Sequence, residues 1–248
     1  MSKVAIVTGG ARGIGAAISK LAAARGYAVC VNFQSNSGSA ENVVAEIVAE
    51  GGRAIAIQAD VSDADDVARL FDESEQALGK VTALVNNAGI TGKISRLDEA
   101  DVATLQRTMD INAMGVMLCS REAVLRMSRK HEGSGGAIVS ISSGAATLGS
   151  PGEFVWYAAS KGAVDSFTLG LSKEVTGEGI RVNAVSPGLT ETELHASGGE
   201  PGRADRLAPV IPIGRAASPE EVANAAIWLL SDEASYISGA ILRCAGGR

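Results

Sequence analysis

Val4-Ala5-Ile6-Val7-Thr8-Gly9-Gly10-Ala11-Arg12-Gly13-Ile14-Gly15 sets the architecture of this chain. Residues 4–7 are short, apolar and mostly β-branched, which suits a buried strand. An Ala-rich helical pattern then runs to Arg25 and stops at Gly26, a residue fit for the position after a helix. Strand, glycine turn and helix together are the setting of a phosphate cradle. Glycines let backbone approach a pyrophosphate, and a helix N-terminus offers free N–H groups and positive dipole. The spacing is GxxxGxG over Gly9, Gly13 and Gly15 rather than GxGxxG. Gly9, Arg12, Gly13, Ile14 and Gly15 are therefore expected to hold a nucleotide.

Residues 28–33 read as the second strand. In units of this kind that bind NAD, an acidic residue about 20 positions past the glycines holds the ribose 2′-hydroxyl. Residues 16–40 contain no Asp or Glu, and the strand leads into the neutral run Asn32-Phe33-Gln34-Ser35-Asn36. Arg12 stands inside the glycine loop. A missing carboxylate beside an available guanidinium favours the 2′-phosphate of NADP over the free hydroxyl of NAD, with Phe33, Gln34 and Ser35 at that end of the site.

Helical and strand patterns then alternate: helix 40–50, strand 53–58, helix 63–78 with Asp63 as N-cap, strand 81–85. A long helical stretch covers 100–131, followed by strand 137–141, helix 157–175 and strand 180–185. Helix 219–230 has Ser218 as N-cap and Pro219 at its first position, and 240–243 is the last strand. Such regular alternation predicts βαβ units on a parallel sheet in one domain spanning 1–248. Ligands of such sheets collect at the carboxyl ends of the strands, where Asp60-Val61 and Asn86-Asn87-Ala88-Gly89 fall.

Composition narrows the function classes. Apolar residues make up 46% and aromatics 4% of 248 residues, so Ala, Val, Ile and Leu must build the core, as in sheets buried on both faces. A net charge of −6 without a basic run argues against nucleic-acid binding. Cys30, Cys119 and Cys244 form an odd, widely spaced set without a CxxC pair, and read as free thiols. His131 and His195 are the only histidines, so no metal site is expected. The first residues read as strand rather than signal peptide, and no apolar run approaches the ~20 residues of a membrane span. A soluble cytoplasmic protein is the expectation.

Tyr157 and Lys161 lie four positions apart at the start of a helix and project from one face. An ammonium beside a phenol favours the phenolate and brings a pKa of about 10 nearer neutrality. Tyr157 is thus a candidate general acid/base.

With these clusters in order, the chain resembles the short-chain dehydrogenase/reductase family. The matching motifs are residues 8–15, Asp60-Val61, residues 86–89, Asn112, Ser143, Tyr157/Lys161 and Pro187-Gly188. Within the family it is similar to bacterial glucose-dehydrogenase-like and 3-oxoacyl-carrier-protein-reductase-like members. It implies a Rossmann-type, doubly wound α/β fold: a seven-stranded parallel sheet of order 3-2-1-4-5-6-7 with three helices on each face. It also implies hydride transfer between a nicotinamide and a small carbonyl or alcohol. Asn112, Ser143, Tyr157 and Lys161 become the catalytic set, with Ser143 bonding the substrate oxygen, Lys161 binding the nicotinamide ribose and lowering the Tyr157 pKa, and Asn112 holding a relay water. Asp60, Val61, Asn87, Ala88, Gly89, Pro187, Gly188, Thr190 and Thr192 join the cofactor contacts on the same ground.

One spacing departs from the family. Its serine stands thirteen residues before the tyrosine, which is Gly144 here, whereas Ser143 stands fourteen before. An extra residue in the loop 147–156 accounts for this, with Ser142 the alternative serine. Residues 193–206, within an insertion at about 190–210, read as a mobile lid in which Glu193 and His195 are candidate substrate contacts. Apolar residues on more than one side of 100–131 and 157–175, faces that relatives bury, predict a homotetramer. Two rival functions stand beside the leading one: a reductase of 3-oxoacyl groups on a carrier protein docked through Arg129, Lys130 and Lys173, and a dinucleotide-sensing regulator without chemistry.

Overall fold

The computed structural model describes residues 3–194 and 198–248. Its first strand, β1 (Lys3–Val7), shows why this chain needs helices on both sides. Ala5 and Val7 enter one apolar cluster, while Val4 and Ile6 enter another across the sheet. All four are fully buried, each larger side chain contributing about 1.5–3 kcal/mol. Beside it run β2 (Tyr27–Phe33), β3 (Arg53–Gln58), β4 (Val81–Asn86), β5 (Gly136–Ile141), β6 (Ile180–Pro187) and β7 (Ile241–Cys244). All pair in parallel in one seven-stranded sheet of order β3-β2-β1-β4-β5-β6-β7. Strand order reverses between β1 and β4, so a crevice opens at their carboxyl ends.

The helices are α1 (Gly13–Ala24), α2 (Ser37–Ala49), α3 (Ala64–Leu78), α4 (Val102–Met109), α5 (Gly115–Met127), α6 (Ala145–Leu148), α7 (Val155–Val175), α8 (Arg203–Leu207) and α9 (Pro219–Leu230). α1, α2 and α9 cover one face of the sheet, and α3, α5 and α7 the other. Local chemistry sets their starts. Asp63 accepts from the amides of Asp65 and Asp66, both at 2.9 Å, and Ser218 with Glu221 forms a capping box around Pro219. α2 begins at Ser37 rather than at 40, because Asn36 accepts from Ser39 N at 3.0 Å and so caps a turn that Ser37-Gly38-Ser39 would not propagate alone.

Two expectations change. The stretch 100–131 is not one helix: α4 passes through a π turn, Asp110–Met114, into α5, which stops at Met127. The wider turn rotates Asn112 inward, and π turns of this kind gather at functional sites. The stretch 193–206 is not a bare loop, since it carries α8, whose Arg203 is buried. Among the described residues no helix is long and apolar enough to cross a membrane.

Candidate active site

Sterics shape the glycine turn. Gly9 and Gly13 adopt φ of 59° and 49°, a left-handed conformation that suits glycine. A Cβ on Gly15 would lie 2.2 Å from Gly9 O and 2.5 Å from Asn87 Nδ2. Only a glycine lets the start of α1 pack this tightly against Gly9 and Asn87. At the start of α1, Arg12 makes no side-chain cap and the first turn holds no acidic residue. Its N–H groups and dipole are left for an anion. These features fit the pyrophosphate of a dinucleotide.

Side chains from three strand ends latch this turn. Thr8 Oγ1 accepts from Asn87 N and Ala88 N at 3.0 and 3.1 Å, tying β1 to β4. Asn32 accepts from Gly9 N and donates to Ala59 O, joining β1, β2 and β3. No motif marks this Asn32 latch; its signal is a polar residue inside the otherwise apolar run Ala28-Val29-Cys30-Val31-Asn32-Phe33. Beside the latch, a small cavity of about 150 Å³ is bounded by Arg12, Phe33, Gln34, Ser35, Asp60 and Val61, as the sequence placed them. Arg12 also pairs with Glu193, at 3.1 Å on the surface. Asp60 accepts from Ser62, Gln34 and Arg107. Burial pushes its carboxyl up, yet the bonds from Ser62 and Arg107 outweigh this and hold the pKa at about 2.

Toward β5 and β6 the crevice widens to a cavity of about 530 Å³ that reaches Ile14, Asn87 and Gly89 on one side and Ser143, Tyr157 and Lys161 on the other. β5 ends at Ile141 and delivers Ser142 and Ser143 in succession, on opposite sides of the chain. Ser143 lines the cavity beside Tyr157, near enough to act on its phenol, and accepts from Ala145 N at 3.1 Å. Ser142 is buried against α7, donating to Lys161 O at 3.4 Å instead. Of the two serines, Ser143 is the one facing the phenol. Lys161 Nζ donates to Ile141 O at 2.7 Å.

Asn112, fully buried at the π turn, accepts from Ile90 N and donates to Ile90 O, both at 2.8 Å, and donates to Ser160 Oγ at 3.0 Å. It clamps the segment after β4. A Cβ on Gly89 would stand 3.3 Å from Asn112 Oδ1 and 3.5 Å from Lys161 Nζ. The glycine thus lets the segment after β4 pass close to both side chains.

The electrostatics correct one expectation. Burial raises the Tyr157 phenol above its ordinary value, and Ser143, not the ammonium of Lys161, opposes that rise. Lys161 is itself lowered to about 8 by burial, with Asp165 acting against the fall. Its ammonium stands 5.8 Å from the Tyr157 ring centroid and spends a proton on Ile141.

The wall after β6 is also built by close approach. A Cβ on Gly188 would lie 2.8 Å from Ala245 Cα, and Pro187 O accepts from Gly144 N. Thr190 Oγ1 donates to Gly188 O, and Thr192 reaches back to the glycine turn, its Cγ2 3.3 Å from where a Gly13 Cβ would stand. Over the cavity, Arg203 holds Glu153 at 2.9 and 2.5 Å and Glu200 at 3.0 Å, and lies over the Phe154 ring. This clamp replaces the loose lid, and Arg203, Glu153 and Phe154 had no sequence signal because they meet only in the fold. Glu193 sits at the Arg12 pair; His195 lies outside the described residues. Among the described residues no group of three His, Cys, Asp or Glu side chains could hold a metal ion. Burial pushes the Cys30 and Cys119 thiols up to about 12, so neither is a ready nucleophile.

Comparison with known proteins agrees with this geometry. A family model described as Enoyl-(Acyl carrier protein) reductase matches residues 9–248. An uncharacterized oxidoreductase of Escherichia coli, YgfF, is 51% identical over 245 residues, covering 99% of both chains. A 3-oxoacyl-[acyl-carrier-protein] reductase of Synechocystis is 39% identical, covering 99% of this chain and 96% of its own. The crystal structure of a short chain dehydrogenase from Burkholderia cenocepacia in complex with NADP superposes with a TM-score of 0.91 at 36% identity, over 100% of this chain and 98% of that one.

Proposed function

The chain belongs to the short-chain dehydrogenase/reductase family of oxidoreductases, and from that premise we propose that it is NADP(H)-dependent and interconverts a carbonyl and a secondary alcohol, with Tyr157 as general acid/base. The observation that carries the proposal is the convergence of Ser143, Tyr157 and Lys161 on one cavity that also reaches Ile14 of the glycine turn. When bound, the nicotinamide supplies the hydride donor or acceptor.

In the reductive direction Tyr157 gives its hydroxyl proton to the substrate oxygen as charge builds there. Ser143 donates a hydrogen bond to that same oxygen, a contact worth more in the transition state than in the ground state. In the oxidative direction the Tyr157 oxygen receives the proton. Lys161, which donates to Ile141 O here, would bind the nicotinamide ribose, and its ammonium would then offset the burial that raises the phenol. Asn112 would hold a water through which Lys161 returns protons to Tyr157. Gly9, Gly13, Gly15 and the start of α1 would hold the pyrophosphate, Val61, Ala88 and Asn87 the adenosine side, and Pro187, Gly188, Thr190 and Thr192 the carboxamide side.

NADP is preferred to NAD because no acid stands in 16–40, while Arg12 can exchange Glu193 for a 2′-phosphate beside Gln34 and Ser35. Exposed Val102, Met114 and Leu169, at 75%, 50% and 45%, support a homotetramer, and the unpaired buried thiols suit the cytoplasm. The relative's name supports a 3-oxoacyl reductase as a narrower reading; equal turnover of carrier-linked and free substrates would count against it.

The test is NADPH oxidation with a panel of sugars, diketones, steroids, oxo acids and acyl thioesters. The native protein turns over at least one of these faster with NADPH than with NADH, whereas Tyr157→Phe loses at least about a thousandfold in kcat and still binds NADPH. Turnover retained in Tyr157→Phe removes the phenol from the mechanism.

A further inference from the structure

Tyr157 stands third in α7, and no side chain caps the start of that helix. The loop 147–156, in which the Ser143–Tyr157 spacing puts an extra residue, carries Glu153 and Phe154 directly before α7. Lengthening a loop raises the entropy that ordering it must remove. α8 is five residues long, too short to hold its own shape in water, and Arg203 is its one buried side chain. Each of these two weak elements is secured by the other.

Arg203 joins them at two points. Its Nη1 and Nη2 donate to the two carboxylate oxygens of Glu153 at 2.9 and 2.5 Å, a planar two-bond pairing made by a side chain only 10% exposed. Its guanidinium also lies over the Phe154 ring, 5.2 Å from the centroid. The same ring meets Tyr157 edge to face, with centroids 5.4 Å apart and planes at 87°. Both rings are buried. Main chain completes the frame: Ser95 N donates to Glu153 O at 2.9 Å, and Ile94 N to Gly198 O at 3.1 Å. Glu153, Phe154 and Arg203 therefore form one packed unit that ends on the ring of the general acid/base. Arg206 stands on its outer side, 54% exposed, bonding Glu200 at 2.5 Å and lying 4.0 Å from Glu153.

We propose that Arg203 is a positioning residue for the proton transfer: through Glu153 and Phe154 it holds the ring of Tyr157 in the orientation that the substrate oxygen requires. This rests on the carbonyl/alcohol reading above and makes α8 part of what aligns the phenol, not only a wall of the cavity. A guanidinium suits the task because it forks onto a carboxylate and stacks on a ring at once, whereas an ammonium keeps the charge and loses the planar fit.

Single-turnover oxidation of bound NADPH, followed by absorbance at saturating concentrations of the best substrate from the panel above, separates placement from binding. Arg203→Met and Phe154→Leu each lower that rate by about 10–100-fold, the scale of a misplaced reacting group, while substrate KM and NADPH affinity stay within about twofold. The double variant loses no more than about twofold beyond the worse single one, because the two residues act in series. Arg203→Lys loses less than Arg203→Met without reaching the native rate, and Arg206→Gln stays within about twofold of native. Hydrogen exchange reads the same bridge without chemistry: in Arg203→Met the amides of residues 158–162 exchange at least about tenfold faster, and those of β1 are unchanged. A KM rise with the rate intact, losses that multiply in the double variant, or unchanged exchange in α7 overturns the positioning role and leaves the carbonyl reading standing. Faster exchange in α7 when the native protein oxidises NADPH with no member of the panel upholds the bridge and overturns the carbonyl reading. Neither turnover nor faster exchange overturns both.

Discussion

The two halves of the sheet's carboxyl edge are built by different means. At β1–β4 the shape comes chiefly from backbone, left-handed glycines and a turn with no room for a Cβ at Gly15, pinned by the Asn32 and Thr8 side chains. At β5–β7 the shape comes from side chains brought together from distant segments: Ser143 with Tyr157, Arg203 with Glu153, Arg243 with Thr147. Backbone geometry suits a ligand that never changes, while side-chain pairs can be exchanged without disturbing the sheet. The first half fits the common cofactor and the second is where a substrate would be chosen.

Three experiments probe this division. On the side-chain half, Ser143→Ala is expected to lower kcat by about 10²–10³-fold with NADPH affinity unchanged, while Ser142→Ala stays within about tenfold. A larger loss in Ser142→Ala would move the catalytic serine. On the backbone half, Gly15→Ala drives a Cβ into Gly9 O. It should cost about 1–3 kcal/mol in chemical denaturation and weaken NADPH about 10–100-fold by fluorescence titration. Gly162→Ala meets nothing within 4 Å inside α7 and should stabilise by roughly 0.5–1 kcal/mol. If both glycines tolerate Ala equally, close approach is not what the turn requires.

The smallest effect concerns Asp60, whose folded pKa of about 2 lies below its ordinary value. A depressed carboxyl adds stability above the unfolded pKa, and that stability is lost as pH falls from near 4 through 2. Asp60→Asn should therefore cost about 1 kcal/mol at neutral pH, after allowance for solvent screening, and flatten the acid limb of the thermal midpoint.

The same division explains what was legible. β3 was read at its observed bounds, and the Asp63 and Ser218 caps were read correctly, because periodicity and capping are local. The strand order followed from the resemblance, and the structure has it. The π turn at Asp110–Met114 was not legible, since one extra residue per turn leaves no mark in an apolar helix pattern. The Arg203 clamp and the Arg243–Thr147 bond were not legible either, because each depends on partners about 50 or more residues away. The Tyr157–Lys161 spacing was visible, yet burial of both groups, which sets their proton affinities here, belongs to the packed cavity and not to the motif.

A crystal structure with NADPH tests the central claim most directly. The nicotinamide is expected in the large cavity beside the Tyr157 hydroxyl and Ser143, with its ribose on Lys161, the pyrophosphate over Gly9, Gly13 and Gly15, and the 2′-phosphate at Arg12. A nicotinamide lodged away from the Tyr157 oxygen, or a cavity empty at saturating dinucleotide, would contradict it.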